Sequence, residues 1–306
     1  MNAFTVLLKR EYWEHKGAIF YTPAIMAGVF AVLMIIAGIT GDTSISVNQS
    51  ETNHFAEHLP KLVDKFENLS EREQKQGVQV ALYGTLLFFG GIMLLISLFY
   101  CLGCLYDERK DRSILFWKSM PVSDTKTVLS KFATVCFLIP VSYFAVITAF
   151  QIYMMLFSTV LAWFGGSSGA MIWASSNLFG VMFNGLMAML VAMLWLSPFW
   201  AWLIFASSWA KKVAFLWGAL PIIMLTIAEG WIFNTSNFIE MLAMRVAKTF
   251  TIMNSNLHFT THKEIFDIEV MRWYEVFGNS EFWIGLIVAG VFLSGAIYTR
   301  SVRNET

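Results

Sequence analysis

Charge is what this chain has least of. Asp, Glu, Lys and Arg make up 14% of its residues against 57% hydrophobic ones, and the mean hydropathy is +0.60. A soluble globule has no interior large enough to hide that much apolar surface, so an integral membrane protein is expected. The scarcity is also uneven, since Phe132 to Ala210 contains no Asp, Glu, Lys, Arg or His. Net charge is zero, which argues against a nucleic-acid partner and says little else. The cysteines are three, an odd set, all in or beside apolar runs. Cys101 and Cys104 form a Cys-x-x-Cys pair with no second pair, and a structural zinc needs four ligands, so packed thiols are expected. No Gly-x-x-x-x-Gly-Lys-Ser/Thr phosphate loop occurs anywhere, so the chain is not expected to hold ATP in the usual way.

What is present is a series of apolar runs long enough to cross a ~30 Å hydrocarbon core at ~1.5 Å per residue. Six spans are expected, over 18–39, 81–105, 132–162, 178–206, 213–231 and 282–299. Residues 1–16 read as an interfacial helix, with Phe4, Leu7, Leu8 and Tyr12 on one side and Lys9, Arg10, Glu11 and Lys16 on the other. The first apolar run is too long for a signal-peptide core and lacks a clean cleavage site, which predicts a retained span. The segments 41–80 and 233–280 are polar enough to lie outside the membrane. In the first, Ser70 and Glu73 have capping-box spacing, which predicts a helix feeding the second span. The second contains an amphipathic run from Phe238 to Phe250, and His258 and His262 at i, i+4, read as a solvated pair. Gly165 to Gly169 is a turn signal flanked by Trp163 and Trp173, residues suited to a membrane interface, and splits the uncharged stretch into a hairpin of two spans. Pro140 and Pro198 are expected to kink that hairpin, and Pro221 to break the fifth span. In the last span, Gly285 and Ala289, and Gly290 and Ser294, are small residues four apart that permit close helix contact.

Lysine and arginine counts orient the chain. With both termini in the cytosol, the inner side carries thirteen of the twenty-one basic residues, and the short loops obey the positive-inside rule. Glu229, the lone acid of the fifth span, then sits roughly 25 Å from the cytosolic start of that span at ~1.5 Å per residue. It is open to two readings, a structural anchor near the outer surface or a group on a translocation path.

The segment 106–131 is the largest charged island placed in the cytosol. Asp107, Glu108, Arg109, Lys110, Asp111 and Arg112 precede an apolar turn of Ile114, Leu115, Phe116, Trp117 and Met120. Pro121 stops the helix, because the residue before a proline is pushed out of the α region. Ser123 or Asp124 then caps the next helix. A short helix turned by a Met-Pro corner and tied to spans at both ends is suited to receive force from a soluble partner.

DERKDRSILFWKSMPVSDTKTVLSK resembles the cytosolic segment of ABC-2 type transporter permeases, and LLKREYWEHK resembles the amphipathic N-terminal helix of the same family. The six-span layout extends the resemblance over nearly the whole chain. The family pattern usually has Gly-Thr after the charges, where this chain has Arg112-Ser113. The resemblance implies an all-α permease of a bacterial exporter in the cytoplasmic membrane, forming a translocation pathway as a homodimer or with a close relative among membrane lipids. It implies no cofactor and no enzymatic activity in this chain, with ATP and Mg held by two copies of a separate ATPase subunit. The segment 106–131 would contain the coupling helix that docks into that subunit, which makes Asp107, Glu108, Arg109, Leu115, Trp117 and Pro121 the contact candidates. It further implies a re-entrant hairpin near Pro221, Glu229 and Asn234 to Asn237. Two rival classes have less in the sequence. An intramembrane hydrolase would need a base or acid beside its nucleophile, absent from 132–210, and an ion-coupled carrier would want buried charge along its route, for which Glu229 is the candidate.

Overall fold

A computed structural model describes residues 3–40, 64, 66, 68–119, 122–253 and 272–302. Those residues are helical throughout apart from short turns, with no strand among them, and six helices are long and apolar enough to cross a membrane. The chain is therefore a multi-pass α-helical protein by length and composition of its helices.

Helix α1 (Ala3–Glu14) leads through a π-turn (Gly17–Tyr21) into α2 (Thr22–Thr40), the first candidate span. The second, α3 (Glu71–Gly103), starts ten residues before the apolar run because Ser70 caps it: the Ser70 hydroxyl accepts from Glu73 N–H, and the Glu73 carboxylate accepts from Ser70 N–H at 3.0 Å. Leu82, Leu86, Phe89, Met93, Ser97 and Tyr100 make one buried stripe along it at steps of three and four residues, and this stripe is the middle of the core. Two short helices follow, α4 (Tyr106–Lys110) and α5 (Ser113–Ser119). Then α6 (Asp124–Ala133), capped by Ser123, continues through a second π-turn (Thr134–Leu138) into α7 (Ile139–Phe164). The π-turn directly precedes Pro140, which lies within the continuous run from α6 to α7 and lacks the N–H that would bond one turn back, so the helical ladder is irregular at this point.

The turn at Gly165 to Gly169 is where the sequence places it, with Gly166 and Gly169 at positive φ. After α8 (Ala170–Ser176) the fourth span is two helices rather than the single one expected over 178–206. α9 (Leu178–Trp195) ends at Leu196 and α10 (Ser197–Trp209) restarts with Pro198 in its first turn. Pro221, expected to break the fifth span, instead lies inside a continuous α11 (Ala214–Phe233). α11 packs on the rest chiefly near its start, where Gly218 faces Leu102 and Leu203, and most of its apolar side chains are exposed. A turn with Asn234 at φ 52° joins it to α12 (Asn237–Met253), which packs along α9 and reaches α3. Gly90 permits that approach, since a Cβ there would lie 1.9 Å from Met253 Cε. A 3-10 turn (Glu275–Gly278) precedes α13 (Ser280–Val302), whose Phe282, Gly285, Ala289, Leu293, Ala296 and Arg300 form a buried stripe against α10 and its neighbours. Of the two small-residue pairs in this helix, Gly285 and Ala289 lie on that stripe, and Gly290 and Ser294 lie on the exposed side. His258 and His262 fall outside the described residues.

Candidate functional site

The segment after α3 is fastened by its own backbone. The Ser207 hydroxyl of α10 accepts from Leu105 N–H at 3.1 Å and from Tyr106 N–H at 2.9 Å, the first free donors of α4. In return Arg109 of α4 donates to Ser207 O at 2.6 Å and Ala210 O at 2.8 Å, carbonyls at the end of α10 where a cation suits the helix dipole. The Tyr106 hydroxyl also donates to Lys212 O. α4 and the end of α10 thus cap each other.

One turn away, four elements bring their charges to a single buried cluster. Glu108 of α4 is its hub: one oxygen lies 2.5 Å from Arg10 Nη2 of α1 and 3.0 Å from Lys131 Nζ of α6, and the other lies 2.6 Å from Arg300 Nη1 of α13. Arg300 also reaches Asp124 of α6 at 2.8 Å, so it ties the last helix to α4 and to the start of α6. Glu11 of α1 lies 2.9 Å from Lys131 and accepts the Tyr100 hydroxyl of α3 at 2.6 Å. Arg10 lies 3.2 Å from Glu11 and 3.1 Å from Glu14, and its guanidinium stacks 3.9 Å above the Trp117 ring of α5. Glu11, Lys131, Arg300 and Glu108 are all buried, at 0, 1, 5 and 8% exposure, so these charges hold together only because each has partners of opposite sign.

Burial alone would raise the Glu11 carboxyl, but Lys131 and the Tyr100 hydroxyl outweigh it and hold its pKa below the ordinary carboxylate value. Burial lowers the pKa of neighbouring His15, whose ring packs edge-on against Tyr100 at 4.9 Å. Glu11, Glu14 and His15 bring ligand atoms within 4.8 Å of one another, the spacing of a metal site. Both Glu11 oxygens are nevertheless engaged, and Arg10 and Lys131 supply the positive charge a metal would bring, so the trio fits an ion network better than a cation site.

The candidates drawn from the sequence separate into two groups. Glu108 and Arg109 face inward and bond within the chain, and Trp117 is half-buried under Arg10. Asp107 is exposed, as is Leu115 at 49%, beside Phe116 at 56%, and Lys110, Asp111 and Arg112 complete the outer rim. Pro121 lies outside the described residues. Glu229 is half-buried and accepts from Phe238 N–H and from the Thr235 hydroxyl, each at 2.9 Å, so it caps the first turn of α12.

The sequence reading missed Glu11, Arg10, Lys131, Arg300 and Asp124. It placed Glu11 on the polar side of α1, yet Glu11 follows Leu7 by four residues on the same face and is fully buried. The signal was positional: Arg300 continues the Phe282–Ala296 stripe, and Lys131 continues the stripe of Thr127 and Val128. Comparison of the chain with protein-family models, with curated proteins and with solved structures finds no match.

Proposed function

We propose that this chain is the membrane-spanning permease subunit of an ABC-2 type ATP-driven exporter in the bacterial cytoplasmic membrane. It has both termini in the cytosol, is paired with a second permease, and is driven by two copies of a separate ATPase that holds ATP and Mg. The observation that carries this reading is the two-sided build of α4 and α5. Their inner side is locked through Glu108, Arg109 and Trp117 to α1, α6, α10 and α13. Their outer side offers Leu115 and Phe116 within a rim of Asp107, Lys110, Asp111 and Arg112. Side chains that size, exposed beside a charged rim, suit an aromatic and aliphatic anchor for a protein partner.

In this reading Glu108 and Arg109 carry force within the permease, and Leu115 and Phe116 take the partner contact. ATP closing two motor subunits draws the paired α4–α5 handles together, and the buried ion cluster passes that movement to helices entering three different spans. The hairpin of α11 and α12 is the piece that suits the family's re-entrant element, and Glu229 holds its turn. An ion-coupled carrier fits less well, because the buried ionic side chains among the described residues gather at one end of the bundle rather than along a route.

The test is co-purification of the chain with any ATPase found encoded beside its gene. Leu115→Asp with Phe116→Asp should abolish capture of the ATPase and permease-stimulated ATP hydrolysis, with the melting temperature unchanged. Retained capture by that variant overturns the proposed docking face, and an adjacent ATPase that never binds the wild type overturns the family reading.

A further inference from the structure

We infer that the groove between α2 and α7 binds a single anionic phospholipid, with an acyl chain between the helices and the phosphate against Lys16. The groove has a volume of about 370 Å³ and is lined by Ala24, Gly28, Ala145 and Ala149, with Phe20 at one end and Tyr153 at the other. Two hydrogen bonds bracket it. Near the N-terminal side the Tyr143 hydroxyl donates to Ala18 O at 3.4 Å, and farther in the Tyr153 hydroxyl donates to Ala31 O at 3.0 Å. Beyond Tyr153 the helices close again, since a Cβ at Gly38 would lie 2.8 Å from Phe157.

The groove is therefore not a feature of the whole span. Tyr143 and Tyr153 are separated by roughly 15 Å along α7 at ~1.5 Å per residue. Half of a ~30 Å hydrocarbon core is about the same distance. The opening thus matches the depth of one leaflet, the one on the α1 side. A second copy docking a helix here would need a trough along the full crossing, whereas an acyl chain ends at the bilayer centre, where Tyr153 closes the groove. Small side chains on both walls leave an apolar trough open to the bilayer, and a hydrocarbon chain restores the dispersion contacts those walls lack.

The mouth carries the complementary charge. Lys16 lies one turn before Phe20 on the same side of the helix and is exposed. Its ammonium is 5.7 Å from the Trp13 ring and 6.0 Å from the Tyr21 ring, and no carboxylate of the described residues lies within ion-pair distance of it. Trp13 and Tyr21 are themselves exposed, at 57 and 49%, as aromatic residues at headgroup level commonly are. Lys9, two turns earlier, is exposed as well and adds to the positive strip.

The test uses the full chain, purified in detergent, delipidated, and titrated separately with phosphatidylglycerol and with phosphatidylcholine of the same acyl chains, with native mass spectrometry counting retained lipid. One phosphatidylglycerol per chain should be retained in preference to phosphatidylcholine. A Cβ at Gly28 meets nothing within 4 Å, so the larger side chain of Gly28→Leu starts in open space and extends into the groove. That variant and Ala149→Leu should each weaken retention of both lipids at least tenfold. Lys16→Gln should reduce the preference for phosphatidylglycerol roughly fivefold, the worth of one lysine at an anionic surface. Undiminished lipid binding in both groove-filling variants overturns the proposal. So does loss of a dimer in those variants with lipid binding intact, which would assign the groove to a second copy. Misfolding of both variants would make it core packing and overturn the proposal equally.

Discussion

Lys131 shows how much the ion cluster depends on its members being present together. It is 1% exposed and lies 2.9 Å from Glu11 and 3.0 Å from Glu108. Removing one partner of a buried pair leaves an uncompensated charge and typically costs about 3–5 kcal/mol. Lys131→Met and Glu108→Gln are each expected to fall in that range, measured as thermal unfolding in detergent. Because they delete the same contact, the double variant should lose less than the sum of the two, and strict additivity would mean the pair does not interact. Glu11 adds a pH dependence of known sign. Its folded pKa is below the unfolded value near 4.5, so its contribution is complete above that pH and is lost as pH falls through the depressed value. The melting temperature should drop progressively below about pH 4.5, and Glu11→Gln should flatten part of that drop.

α4 and α5 are two helices rather than one because the chain turns between them. Arg112 makes that turn with φ 56°, in the left-handed region that costs a residue with a Cβ about 1–2 kcal/mol. Glycine suits this backbone angle because it has no Cβ to clash there. Arg112→Gly should stabilise the protein by about 0.5–1 kcal/mol after the entropy that glycine loses on folding, and Arg112→Val should destabilise it, both read by denaturation. A different rule decides what proline does. Pro198 sits in the first turn of α10, where a helix restarts, and Pro221 sits inside α11 without ending it. Proline identity alone did not tell these apart, because the outcome depends on whether neighbouring groups take up the carbonyl it frees.

The molecule as a whole offers a direct test of orientation. The three native cysteines are buried, at 0, 3 and 0% exposure, so they should react little with a polar thiol reagent. Ser168, at the turn between α7 and α8, and Lys211, between α10 and α11, are both exposed and lie at opposite ends of the bundle. A membrane-impermeant maleimide should label Ser168→Cys in intact cells and Lys211→Cys only after permeabilisation. The reverse pattern would put α4 and α5 outside the cell and remove the basis for an ATP-driven partner there.

The helices and their junctions were largely legible in the linear order of residues. Six apolar runs, the Ser70–Glu73 box, the Ser123 cap, the glycine turn at 165–169 and the amphipathic α12 all rest on neighbours within a few positions, where spacing and side-chain type are sufficient. The cluster was not legible in the same way. Arg300 and Glu108 stand 192 residues apart and Lys131 and Glu11 stand 120 apart, and a charged side chain near the end of an apolar run looks the same whether it will face water or a partner. Packing of α1, α4, α6 and α13 brings these charges out of water at one place, where each carboxylate and cation is stable only in the company of the others.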